Sequence, residues 1–234
     1  MTENLKMARQ ARITLDNSPH HITQRGNRGE PVFFEKGDFQ AYIDILKEQC
    51  ARFSVKILSY CLLPNQIHLL AIPQNGDTLA RAIGETHRRY TNMINKRNNW
   101  RGHLFQDRFF SYVCDEPYSL RAMRFIENMP IISGIAPKPE SYLWSSARDR
   151  IKVTYNSFVT QPRNFHAVQD WSAFLDRPMD AKELKEIQTH LQTGRPRGHD
   201  TFLDMIEQKI GKTVRPQKRG RKPKSENKEI LRAI

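Results

Sequence analysis

The chain has 234 residues, with 38 Lys+Arg against 25 Asp+Glu and a formal net charge of +13. Its mean hydropathy of −0.69 and the absence of any ~20-residue apolar run exclude a membrane-spanning helix. Three cysteines (Cys50, Cys61, Cys114) without metal-type spacing exclude a disulfide frame and point to a reducing, cytoplasmic setting.

In chain order, His20–Gln24 reads as a strand and 25–29 as a turn rich in Gly, Asn and Arg. Asp38 is placed to cap a helix whose apolar positions Phe39, Tyr42, Ile43, Leu46, Cys50 and Phe53 recur at helical spacing. Val55–Leu63 and Gln66–Ile72 read as a hairpin broken at Pro64–Asn65. Asp77 or Thr78 caps the next helix, with Leu79, Ile83, Tyr90 and Ile94 facing inward. Arg108–Cys114 reads as a strand, and Glu116–Met129 as a helix that Pro130 stops. The order β-α-β-β-α-β-α predicts an α+β fold, a ferredoxin-like antiparallel sheet with packed helices. This domain is expected over 1–150, with Trp144–Arg150 packing back on the core. A helical C-terminal extension is expected over 151–211, its helices 181–192 and 201–210 joined by a Gly194–Gly198 linker. A basic tail, 212–234, has almost nothing to bury and is expected to be disordered when free.

The charge is concentrated. Residues 212–234 carry a net +7, residues 81–108 a net +5, and all the others together only +1. Such segments suit a polyanion, because each phosphate they neutralise releases counterions. Tyr90, Trp100, Phe105, Phe109 and Phe110 punctuate the second segment and are candidates for stacking on bases. The alternative is a solvated helix face and a solubilising tail. No phosphate-binding Gly loop, zinc-type Cys pair or nucleophile elbow is present. His68, between Ile67 and Leu69, and His20–His21 read first as structural histidines.

The runs His20-His21-Ile22-Thr23-Gln24-Arg25-Gly26-Asn27-Arg28 and Leu63-Pro64-Asn65-Gln66-Ile67-His68-Leu69 resemble the REP-associated tyrosine transposases, single-tyrosine HUH-type enzymes of bacteria. Arg88-Arg89-Tyr90, Trp100-Arg101-Gly102-His103-Leu104-Phe105 and Thr193-Gly194-Arg195-Pro196 extend the resemblance along the chain. The resemblance implies a His-hydrophobic-His strand holding Mg²⁺ or Mn²⁺, which polarises a phosphate of single-stranded or hairpin DNA. It implies a tyrosine on the last core helix that attacks this phosphate and forms a 5′-phosphotyrosine. A polar residue one turn later completes the metal shell.

At those positions the sequence departs from the family. The first histidine is Gln66, the nucleophile position is Phe125 and the last ligand position is Met129, so only His68 remains. Phenylalanine has no hydroxyl, and a thioether is a poor ligand for a hard cation. Tyr118 is the substitute nucleophile to weigh, two turns and about 10.5 Å before Phe125. DNA binding needs none of the lost groups, and the expected contacts are Arg25, Asn27, Arg28, Arg88, Arg89 and Arg101. Lys218, Arg219 and Arg221, around Gly220, resemble an AT-hook able to enter a narrow minor groove. The readings carried forward are a cytoplasmic, nucleoid-associated DNA-binding transposase relative impaired in cleavage, an active one with a relocated tyrosine, and an RNA-binding or regulatory module.

Overall fold

The computed structural model describes residues 12–152, 158–161 and 168–216. Four strands, β1 (His20–Arg25), β2 (Val55–Leu63), β3 (Gln66–Pro73) and β4 (Phe110–Val113), form one antiparallel sheet in the order β2-β3-β1-β4. The helices are α1 (Lys36–Arg52), α2 (Gly76–Asn98), α3 (Glu116–Ile132), α4 (Ala147–Ile151), α5 (Trp171–Asp176), α6 (Ala181–Thr193) and α7 (Asp200–Ile210). The α+β expectation holds, with helices on both faces of the sheet.

Strand alternation divides the core in two. Ile22, Ile67, Leu69 and Ala71 point to one face and pack with Tyr42, Ile43 and Leu46 of α1 and Leu79, Ile83 and Tyr90 of α2. Cys61, Leu70 and Tyr112 point to the other, against Ala122, Met123 and Ile126 of α3 and Trp171, Leu175 and Ile187 of the extension. His21 and Thr23 share this second face, because their ladder partners are Leu70 and His68.

Several element ends differ from the sequence reading. Helix α1 starts at Lys36 with Glu35 as N-cap, and Asp38 caps from inside it, accepting from the Phe34 and Glu35 N–H groups at 2.8 and 3.1 Å. Helix α2 starts after Asn75, where Asp16 accepts from the Gly76 N–H at 2.7 Å and anchors the first turn. Strand β4 begins only at Phe110, since the Phe109 carbonyl accepts from Arg12 at 2.6 Å and so leaves the ladder. Pro130 does not stop α3: it lacks an N–H, but the Ser133 N–H reaches the Met129 carbonyl at 2.9 Å and closes the last turn. The Gly194–Gly198 segment is not a free linker. The Arg197 N–H donates to the Val113 carbonyl at 2.9 Å, and Asp115 donates back at 3.0 Å, covering the β4 edge. At the other edge Trp144 packs back as expected, its ring stacked on Phe39 at 4.9 Å and its carbonyl accepting from Leu62 at 2.9 Å. No helix among the described residues is long and apolar enough to cross a membrane.

Candidate nucleic-acid interface and a buried histidine–aromatic cluster

Tyr118, Ala122, Phe125 and Met129 recur at helical spacing on α3 and are all buried. That stripe delivers Phe125 onto the sheet. Its ring centroid lies 5.8 Å from His21 and 5.7 Å from His68, and the two histidine rings are 5.8 Å apart. The three rings form a nearly equilateral cluster, with exposures of 0 % for His21, 4 % for His68 and 3 % for Phe125. Burial, then the neighbouring His68, pushes the His21 pKa well down, and burial, then Arg25, lowers that of His68 to about 3. Both imidazoles are therefore neutral at physiological pH. His21 Nδ1 lies 3.1 Å from the Tyr112 hydroxyl, while His21 Nε2 and both His68 nitrogens have no hydrogen-bond partner.

The residues do not fit the divalent cation that the resemblance implies. A ligating histidine normally has its second nitrogen held by a carboxylate or carbonyl, and His68 has neither nitrogen held. Its ring rests edge-on against Phe125, an apolar neighbour that offers no ligand atom. Gln66 stands two residues away, half-buried, and Met129 offers only a thioether. No group of three or more His, Cys, Asp or Glu side chains suited to a metal gathers among the described residues. A hard cation needs oxygen-rich coordination that this cluster lacks.

Tyr118 does not replace the missing nucleophile geometrically. Its ring lies between the guanidinium groups of Arg197, at 4.8 Å, and Arg121, at 5.3 Å. The rings around His21 and His68 are each other, Tyr112 and Phe125. Burial raises the Tyr118 phenol pKa, against the lowering pull of Arg197. Tyr112 and His21 are the site residues that the sequence reading missed. The signal was available in the ladder, since His21 shares a sheet face with His68, but it required the β1–β3 register.

The expected DNA contacts fall into two groups. Arg25 ends β1, and Asn27 and Arg28 lie in the 3-10 turn Asn27–Gly29, with Arg28 at φ 56°. Gly26 is required there, because a Cβ would sit 1.9 Å from the Glu30 carbonyl oxygen. Backbone hydrogen bonds zip this turn to the loop after α2. Asn27 donates to the Leu104 carbonyl and Gln106 to that of Arg25, each at 2.9 Å. Gly26 donates to the Asn65 carbonyl at 2.9 Å. Arg25, Asn27 and Arg28, the hairpin turn before Gln66, and the loop that starts with Arg101 thus meet at one end of the sheet. Next to them Phe34 and Trp100, 43 % and 49 % exposed, meet edge to face at 5.2 Å. Trp100 was expected; Phe34 was not, because a Phe33-Phe34 pair gives no sign of which ring faces water.

Arg88 and Arg89 form the second group, on the outer face of α2. Arg88 pairs with Glu85 at 2.6 Å and Arg89 with Glu48 at 2.5 Å, both exposed. Tyr90, Phe105 and Phe109 are buried and unavailable for stacking, a correction to the sequence reading, whereas Phe110 is 41 % exposed. Lys218, Arg219 and Arg221 lie outside the described residues.

Residues 15–129, from the approach to β1 through α3 up to Met129, match the family model of IS200-like transposases. Over that segment, just under half of the chain, the sequence is similar to a transposase family. A solved REP-associated tyrosine transposase bound to a REP hairpin shares the fold at a TM-score of 0.53 and 16 % identity, over 66 % of this chain and 92 % of that one. A candidate transposase of Deinococcus radiodurans aligns at a TM-score of 0.35 and 20 % identity, over 53 % of this chain and 97 % of that one. No curated protein sequence matches the chain.

Proposed function

We propose that this chain is a DNA-holding member of its family that recognises a hairpin or single-stranded DNA element, of the REP-associated kind, without cleaving it. The observation that carries the reading is Phe125, packed between two neutral histidines where the family places its tyrosine. Phosphoryl transfer to protein needs an oxygen nucleophile, and Phe125 supplies none. The solved relative that shares the fold is bound to a REP hairpin, which supports DNA as the partner.

In this reading Arg25, Asn27, Arg28 and Arg101 contact phosphates at the end of the sheet, and Phe34 and Trp100 stack on unpaired bases. Arg88 and Arg89 extend the contact along α2 by exchanging their exposed carboxylate partners for phosphates, at little cost because exposed ion pairs are weak. Lys218, Arg219 and Arg221 add a phosphate or minor-groove contact. Such a protein works on the chromosome in the cytoplasm.

Fluorescence anisotropy with a labelled DNA hairpin tests the binding half. The Arg25→Ala, Arg28→Ala, Arg101→Ala variant is expected to bind about ten- to a hundredfold more weakly at low salt. Unchanged affinity contradicts the assigned surface, and a preference for the matched RNA hairpin contradicts the partner. Restoring the family's residues tests the other half. Gln66→His, Phe125→Tyr and Met129→Asn together are expected to confer Mn²⁺-dependent nicking, and Phe125→Tyr alone is not. Nicking by that single variant would show that Gln66 and Met129 tolerate the metal.

A second reading, with a relocated nucleophile, has one observation in its favour: the Tyr112 hydroxyl lies 3.1 Å from His21 Nδ1, the spacing of a nucleophile and its base. Against it, Tyr112 is fully buried, with the ring of His190 on α6 5.6 Å away, and burial raises its phenol pKa well above the ordinary value.

A further inference from the structure

Helix α3 ends in an apolar knob at the surface. Among the described residues eight large apolar side chains are exposed, and three of them, Ile131, Ile132 and Ile135, fall within five positions here. They are 40 to 45 % exposed. Single apolar residues on a surface are ordinary, whereas a cluster of them marks an interaction site. The sequence builds this knob rigidly. Gly134, at φ 67°, takes the left-handed conformation that side chains resist. Its N–H donates to the Ile131 carbonyl at 2.9 Å, and the Ile135 N–H donates to the Pro130 carbonyl at 2.8 Å. This pair of bonds closes the helix as a Schellman motif and folds Ile135 back beside the last turn. The backbone of the knob is thus set before any partner arrives, which lowers the ordering cost of docking.

A second copy of this chain is the partner that fits. At +13, two copies repel each other over any face that shares the excess charge. Residues 128–137 carry no charge at all. That separates the knob from the DNA-holding end of the sheet, since it offers nothing to a phosphate. The ionisable residues that follow are Lys138 and Glu140, opposite in sign and two positions apart. Neither enters an ion pair among the described residues. In a two-fold pairing the same patch meets itself, so Lys138 of each protomer faces Glu140 of its partner and the contact is made twice. Strand pairing offers a second copy little, because the sheet edges are covered. Thr160 and Ser146 donate to the Ile57 and Tyr60 carbonyls of β2 at 2.7 and 3.0 Å, and Arg197 donates to Val113 of β4 at 2.9 Å.

We propose that the end of α3 is a self-association surface. Two copies pack Ile131, Ile132 and Ile135 against one another about a two-fold axis, and Lys138 and Glu140 pair reciprocally at the rim. The patch is far smaller than the roughly 20–30 residues a side of a standard interface, so the dimer is weak and forms at micromolar concentrations or above. This inference is independent of the function proposed above.

Sedimentation velocity on the full chain, freed of nucleic acid, tests it. At about 1 µM the chain is expected to sediment at its own mass of 27.4 kDa, and at about 200 µM the mean mass is expected to rise towards twice that value. The Ile132→Asp, Ile135→Asp variant lowers the net charge, so it does not raise the overall repulsion between copies. It is expected to keep the mass of one chain throughout, with an unchanged thermal midpoint showing that it folds. Lys138→Glu is expected to weaken association about tenfold, and Lys138→Glu combined with Glu140→Lys to restore it. A native chain that keeps the mass of one chain at every concentration overturns the proposal. So does a dimer that survives Ile132→Asp, Ile135→Asp, or one that forms only once DNA is added, since the DNA then makes the bridge.

Discussion

At the scale of single residues, two buried polar groups on the same face of the sheet behave in opposite ways. Neither nitrogen of His68 has a partner, so its polar atoms are desolvated without compensation. Glu127, fully buried on α3, is satisfied on both oxygens. Oε1 accepts from Ser59 at 3.0 Å, Ser146 at 2.6 Å and Arg150 at 2.9 Å, and Oε2 accepts from Trp171 at 2.7 Å. It thus ties β2, α4 and α5 to the helix that carries Phe125. Replacing His68 by Leu is expected to leave the denaturant midpoint unchanged or to raise it. Replacing Glu127 by Ala, which strands the buried Arg150 charge, is expected to cost about 3–5 kcal/mol. Urea unfolding measures both, and a large loss for His68→Leu contradicts the account of a site without its metal function. That the resemblance puts Phe125 where a tyrosine is expected was legible in the sequence. The histidine-aromatic cluster that surrounds it was not, because adjacent His20 and His21 point to opposite faces and only the register shows which one meets His68.

At the scale of elements, the joint between α1 and α2 is held by one carboxylate. Asp38 accepts from two backbone N–H groups at the start of α1 and from Arg97 near the end of α2, at 2.6 and 3.0 Å. Burial raises its pKa, but the bonds from Arg97, Phe34 and Glu35 outweigh burial and leave it below the usual value. Asp38→Ala is expected to destabilise the chain by about 2–3 kcal/mol at neutral pH, from a lost cap and a lost charge-assisted bond. Asn at this position keeps part of the cap and is expected to cost less. A folded pKa below the unfolded one means that this stabilisation is present at neutral pH and fades as pH falls through the folded value. The strands and the three core helices were legible from periodicity. The ends were not, because they depend on distant partners: Asp16 sets the start of α2, Arg12 withdraws Phe109 from β4, and the β4 edge recruits the segment read as a linker.

At the scale of the whole molecule, a charge of +13 first indicated only a polyanion. Among the described residues, Arg25, Arg28 and Arg101 lie at one end of the sheet and Arg108, Arg195 and Lys212 line the cleft beside β4, while Arg97, Arg150 and Arg215 serve as structural ion pairs. Composition could not separate the two kinds of arginine, since pairing depends on tertiary contacts. The buried histidines add a pH limit. Burial lowers His20 to about 4, against the raising effect of the Ser18 carbonyl, and burial, then Arg25, lowers His68 to about 3. Each takes up a proton in the unfolded chain near pH 6.5 and not in the folded one, so folding loses stability as pH falls from about 6.5 to about 4. The loss is on the order of 1 kcal/mol per pH unit for each histidine well inside that window, read as a falling thermal midpoint between pH 7 and 5.

The central claim is that this chain holds DNA where its relatives cut it. Incubating the protein with a labelled DNA hairpin bearing single-stranded flanks and Mn²⁺, then resolving it on native and denaturing gels, tests that claim most directly. The account predicts a shifted complex on the native gel and free, uncut oligonucleotide under denaturing conditions. A covalent protein–DNA band on the denaturing gel would contradict it.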